Sequence, residues 1–119
     1  MKHEEIEPEK RFTNTHFDPR IEFEGQINTS IYKCPKCDTQ ISFNTNDFQK
    51  HAATNFSNLP AKIDSYIYSV RPLDSESWES FLDFSCRGCE MPIRVIFTPW
   101  EFAMGCYGFD IASVIEIET

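Results

Sequence analysis

Several stretches of this chain place an apolar residue at every second position, and these predict most of its elements as strands. Ile21-Glu22-Phe23-Glu24 alternates apolar with acidic side chains, which suits an edge strand whose outward carboxylates resist edge-to-edge pairing. Ile27 to Lys33 rises into a cysteine hook, and Thr39, Ile41 and Phe43 alternate with Gln40 and Ser42 on the way out. Phe81 to Ser85 leads into a second hook, and Met91, Ile93, Val95 and Phe97 leave it in strict alternation. The spacing therefore predicts two hairpins, each closed at its tip by cysteines. Ile63 to Arg71, rich in β-branched and aromatic residues, reads as a strand with Tyr66 and Tyr68 on one face and Ile63 and Ile67 on the other. Phe109 to Glu118 reads as a last strand, with Ile111, Ile115 and Ile117 inward and Asp110, Glu116 and Glu118 in water.

Helical spacing is rarer. Asn44-Thr45-Asn46-Asp47 offers N-cap residues, after which Phe48, Ala52 and Phe56 form one stripe that Pro60 terminates. Thr98-Pro99-Trp100-Glu101 matches a capping box with proline at the first helical position, predicting a turn or two of helix up to Gly105. Residues 1–20 are polar and acidic, with Phe12 and Phe17 set apart, and predict a flexible or arm-like segment. The sum is a single α+β domain over residues 1–119: a mostly antiparallel sheet, one or two short helices, and a cysteine-held end joining two hairpins.

The hooks carry the chemistry. Cys34-Pro35-Lys36-Cys37 and Cys86-Arg87-Gly88-Cys89 each hold two cysteines with two residues between them, a spacing that lets both sulfurs face one metal ion. Four thiolates close a tetrahedral shell, so Cys34, Cys37, Cys86 and Cys89 are expected to bind one structural Zn²⁺ and to leave no position for a catalytic water. The hooks and their flanks, residues 28–43 and 80–97, resemble the knuckles of zinc-ribbon proteins, with 48 residues between Cys37 and Cys86 where a compact ribbon has fewer. Closing that span carries an entropy of roughly 3–4 kcal/mol. A four-ligand zinc site returns roughly 10–16 kcal/mol, so the metal can staple a small core.

Two other uses of the cysteines compete. Cys-Pro-Lys-Cys alone resembles a glutaredoxin-type site, but thiol redox chemistry wants its thiolate at a helix start, and Asp38 to Phe43 reads as a strand. An iron–sulfur cluster could use the same four ligands, though the symmetric knuckles favour zinc. The fifth cysteine, Cys106, is read as a small buried hydrophobe. His3, His16 and His51 form no ligand pattern, no carboxylate pair or phosphate loop stands out, and no enzymatic activity is expected. Trp78, Trp100, Tyr66 and Tyr68 are assigned to the core, becoming recognition candidates only if exposed together.

Charge decides among partners. The chain of 119 residues has 40% hydrophobic residues and a net charge of −8, divided as −3 over residues 1–30, −1 over 31–100 and −4 over 101–119. Nucleic-acid binders concentrate lysine and arginine, so that class is disfavoured; Lys33, Lys36, Arg87 and Arg94 are read as offsetting the thiolate charge. An acidic protein suits a partner with a basic surface. The whole-chain profile is similar to that of small acidic immunity proteins of bacterial toxin systems. That resemblance implies a toxin partner met by Glu4, Glu5, Glu7, Glu9, Asp110, Glu116 and Glu118. No apolar run is long enough to span a bilayer and no signal-peptide layout is present, so a cytoplasmic protein without membrane association is expected.

Overall fold

A computed structural model describes residues 1–20, 28–54 and 56–118. In chain order its elements are β1 (Lys2–Ile6), a 3₁₀ turn (Pro8–Lys10), β2 (His16–Phe17), β3 (Thr29–Lys33), β4 (Gln40–Asn44), α1 (Thr45–Thr54), α2 (Ala61–Val70), β5 (Ser80–Ser85), β6 (Pro92–Ala103) and β7 (Cys106–Glu118). The architecture is α+β with antiparallel pairing throughout. The main sheet runs β1-β7-β6-β5, with β2 also on β7, while β3 and β4 form a separate hairpin. Among the described residues no helix is long and apolar enough to cross a membrane.

The main sheet is covered on both faces, which explains why every residue from Pro92 to Phe97 is buried. Ile93, Val95 and Phe97 join Phe109, Ile111 and Val114 in a core shared with Tyr32, Ile41, Phe43 and Phe48 from the hairpin and α1. On the reverse face Ile96, Ile115 and Ile117 pack with Leu59 and with Ile67 of α2. A one-residue register shift between Ile111 and Ser113 turns Val114 back to the first face, so the faces of β7 exchange partway along the strand.

The charged side chains that enter the layer between the sheet and α2 are paired. Arg94 and Asp83 face one another across β6 and β5, both without exposed side-chain surface, joined by bonds of 2.8 and 2.9 Å. Ser57 donates to the same carboxylate and Asp64 of α2 receives a further bond from Arg94. The guanidinium carbon lies 4.1 Å from the Phe81 ring centroid, a cation–π contact, while Nη1 finds no hydrogen-bond acceptor among the described residues.

Four expectations are overturned. Residues 1–20 are not an arm: β1 and β2 lie in tandem along one edge of β7, and Ile6, Phe12 and Phe17 are buried. Between them Phe12 bridges Tyr32 and Arg11 accepts from the Lys33 amide, so the segment stitches the hairpin to the main sheet. Its charges mask a strand whose neighbour supplies the apolar surface.

Ile63 to Arg71 is helical rather than extended. Ser65 breaks the apolar alternation, whereas Ile63, Tyr66, Ile67 and Val70 fall on one side of a helix that covers Ile96 and Ile117. Thr98 to Ala103 continues β6 instead of forming a helix, because every residue but Phe102, where the register shifts, finds a partner on β7. Pro99 is tolerated because β5 begins opposite Phe97, leaving that part of β6 with one neighbouring strand. Glu116, expected in water, is buried; Arg11 donates to it at 2.8 and 3.1 Å, and Tyr32 donates as well. The predicted stripe of α1 holds for Phe48 and Ala52, but Phe56 lies past the helix and is exposed. The strand expected at Ile21–Glu24 lies outside the described residues.

Candidate metal centre

Each hook is the tip of a hairpin, and the two are built alike. The Cys34 amide donates to the Thr39 carbonyl and the Asp38 amide to the Cys34 carbonyl; in the second hook Cys86 pairs with Met91, and Glu90 with Cys86. The residue four beyond each leading cysteine turns the chain with a positive φ, 59° at Asp38 and 63° at Glu90. Repetition of that turn aims both sulfurs of each hook toward the other hook. Cys34 and Cys86 are buried, whereas Cys37 and Cys89 reach the surface.

The four ligand atoms all lie within 4.8 Å of one another. Cys34 Sγ stands 3.6 Å from Cys89 Sγ, and Cys37 Sγ 3.5 Å from Cys86 Sγ. Sulfurs held about 2.3 Å from one tetrahedral ion are separated by roughly 3.8 Å, whereas a disulfide brings them to about 2.05 Å. The arrangement therefore fits a shared ion and not two disulfides. Among the described residues this is the one group of cysteine, histidine or acidic side chains placed to hold a metal.

The surroundings favour thiolate unevenly. The Thr39 hydroxyl, 3.1 Å from Cys37 Sγ, together with the Thr39 amide, lowers the Cys37 thiol to about 6. Burial pushes Cys34 up to about 12. A buried thiol of that kind ionises when a cation supplies the missing charge, which is what a metal ion held by all four sulfurs would do.

Two residues make the convergence possible, and neither was singled out from the sequence. Gly88 touches the other hook so closely that a Cβ would stand 2.2 Å from Thr39 Oγ1 and 2.7 Å from Cys37 Sγ. Its amide also donates to Cys86 Sγ at 3.4 Å. The alternation around Thr39 marks it only as a strand residue.

The residues expected to offset the thiolate charge separate into two groups. Lys33, Lys36 and Arg87 are exposed on or beside the hooks, with Lys33 4.0 Å from Asp38. Arg94 instead is buried against Asp83, because it lies on the α2 face of β6. Cys106 is not the buried hydrophobe expected of it; it is exposed at the turn between β6 and β7. Trp78 is also exposed, as is Tyr68, while Tyr66, on the sheet-facing side of α2, is partly buried and Trp100 stacks on His16 at 5.2 Å. The helix start that a redox thiolate wants is absent at Cys37, whose chain turns directly into β4. Compared with protein-family models, curated proteins and solved structures, the chain matches none of them.

Proposed function

We propose that this chain is a non-enzymatic protein-binding module whose two hairpins are stapled by one Zn²⁺, and that it acts as an acidic cytosolic inhibitor of the immunity-protein kind, neutralising a toxin with a basic surface. The observation that carries the metal half is the convergence of four thiols, from points 48 residues apart in sequence, to within 4.8 Å. A closed four-sulfur shell is structural chemistry and leaves the outer surface for recognition. The recognition half draws on the net charge of −8. Glu4, Glu5, Glu7, Glu9 and Glu118 are exposed and Asp110 half-exposed, so all six remain contact candidates; Glu116 is withdrawn because it is buried with Arg11 and Tyr32.

Elemental analysis of freshly purified protein should find one zinc per chain, and material with no metal ends this reading. Coexpression with the product of an adjacent gene tests the inhibitor role. Protection of cells, lost on reversing the charge of Glu4, Glu5 and Glu118, supports it; a neighbour that is harmless alone refutes it. Nucleic-acid binding is the competing role for Lys33, Lys36 and Arg87, and it predicts an affinity that collapses as salt rises.

A further inference from the structure

Among the described residues, the most exposed aromatic stands where folding gives no reason for it. Trp78 is 76% exposed and holds a φ of 59°, a left-handed conformation that is unfavourable for a bulky side chain. Its turn is firmly anchored: Asp74 accepts from the Glu76 amide and from Ser77, and Glu79 accepts from the Asp74 amide at 2.7 Å while pairing with Arg71 at 2.8 Å. The anchoring holds an indole out in solvent. Beside it run two adjoining grooves of about 450 and 330 Å³ that share Gln49, Gly105 and Tyr107 and reach from Trp78 to Phe102. Met104, at the turn above, is 96% exposed.

We infer that this trough, floored by Tyr107, Phe102 and Pro99 and flanked by Trp78, is the docking surface for a partner segment that sets apolar side chains among lysines or arginines. The charges around it choose that occupant. Residues 72–86 and 95–119, which supply Trp78 and the whole β6–β7 turn, contain no lysine or arginine. Asp83 and Glu116 within them are buried, Glu79 pairs with Arg71 and Glu118 lies at the far end of β7, which leaves Asp74 and Glu76 beside Trp78, and Glu101 and Asp110 on β6 and β7, facing outward or partly so. Among the described residues that line it Arg20 is the one cation, and Asp18 already pairs with it at 2.8 Å. A trough with apolar walls and an acidic rim favours a cationic, amphipathic partner, and exposed tryptophan, tyrosine and methionine are the side chains that carry binding energy at such surfaces. This inference rests on the reading of the chain as a protein-binding module and adds an apolar contact surface to the carboxylates named for it.

The probe is a synthetic nonapeptide of alternating lysine and leucine, with a glutamate–leucine peptide as control, titrated into zinc-loaded full chain while tryptophan emission is followed. The lysine peptide should bind and the control should not. Trp78→Gly and Tyr107→Ala should each weaken binding roughly 10- to 30-fold. Trp78→Gly should also unfold at a higher temperature than the parent, because glycine relieves the left-handed strain. Glu4→Gln with Glu5→Gln is the comparison variant that separates this trough from the carboxylates of β1. Equal binding by the Trp78→Gly variant and the parent overturns the inference, as does sedimentation showing that a second copy of this chain occupies the trough. Loss of peptide binding only in the Glu4/Glu5 variant overturns it too, while leaving the acidic-module reading standing.

Discussion

Gly88 illustrates how much of this site turns on single atoms. A methyl group there would collide with Thr39 Oγ1 and Cys37 Sγ at 2.2 and 2.7 Å, and Thr39 belongs to the opposite hairpin. The hooks would have to part, and the sulfurs with them. Gly88→Ala should therefore lower metal affinity by about 10- to 100-fold, the usual penalty for disturbing what positions a ligand, in competition titrations with a chromogenic chelator. The Arg94–Asp83 pair tests the opposite face of the sheet. Neither side chain has exposed surface, so Asp83→Ala leaves a buried guanidinium with only the bond to Asp64 at its edge and should destabilise the fold by roughly 3 kcal/mol in urea unfolding. Replacing both residues by apolar ones of similar size should recover much of that loss.

At the scale of elements, the sequence was most legible where one rule acted alone. Alternation around Cys34 to Cys37 and Cys86 to Cys89 located both hairpins and all four sulfurs, because each strand there has a plain inside and outside. It failed where two rules competed. Ile63 to Arg71 has the residue types of a strand and the spacing of a helix, and the spacing prevailed because a helix can cover both Ile96 and Ile117. The capping-box residues Thr98 to Glu101 lost to ten paired positions between β6 and β7, a long-range gain that no local pattern records. Glu116 was misplaced for a similar reason: its partners Arg11 and Tyr32 are 105 and 84 residues away.

The turn after α2 offers a check on this level. Arg71 holds the Glu79 carboxyl below its ordinary value, so Glu79 contributes stability that is complete above the unfolded carboxyl range and lost as pH falls through the lowered folded value. Unfolding midpoints of the parent and of Glu79→Gln, compared from roughly pH 7 to pH 3, should differ most near neutrality and converge below the usual glutamate range. Metal loss in acid is common to both proteins and cancels in the difference.

For the whole molecule, the question is how much of the fold the metal supports. The two hooks tie the β3–β4 hairpin to the end of the β5–β6 hairpin, and the same pair of layers is also joined by Phe12, Tyr32, Phe43 and Phe48 in a shared core. The layer beneath α2, with Leu59, Ile67, Ile96, Ile115 and Ile117, includes no residue from β3 or β4. Removing the metal should therefore act unequally. It returns the entropy of an open 48-residue span, roughly 3–4 kcal/mol, to one end of the molecule, and at the same time leaves a buried thiol pair without its counter-charge. Hydrogen exchange after addition of a chelator should accelerate first at the amides of Ile31 to Lys33 and Ile41 to Phe43, while Ile115 and Ile117 stay protected. Thiol labelling reads the same event independently. In the metal-loaded protein Cys106, exposed and outside the site, should be the one cysteine that alkylates quickly. Chelation should then release four more thiols together and not in pairs, because a tetrahedral ion loses its hold on both hooks at once. Two fast thiols followed by two slow ones would instead mean that Cys34–Cys37 and Cys86–Cys89 act as separate centres, which the inter-hook distances of 3.5 and 3.6 Å argue against.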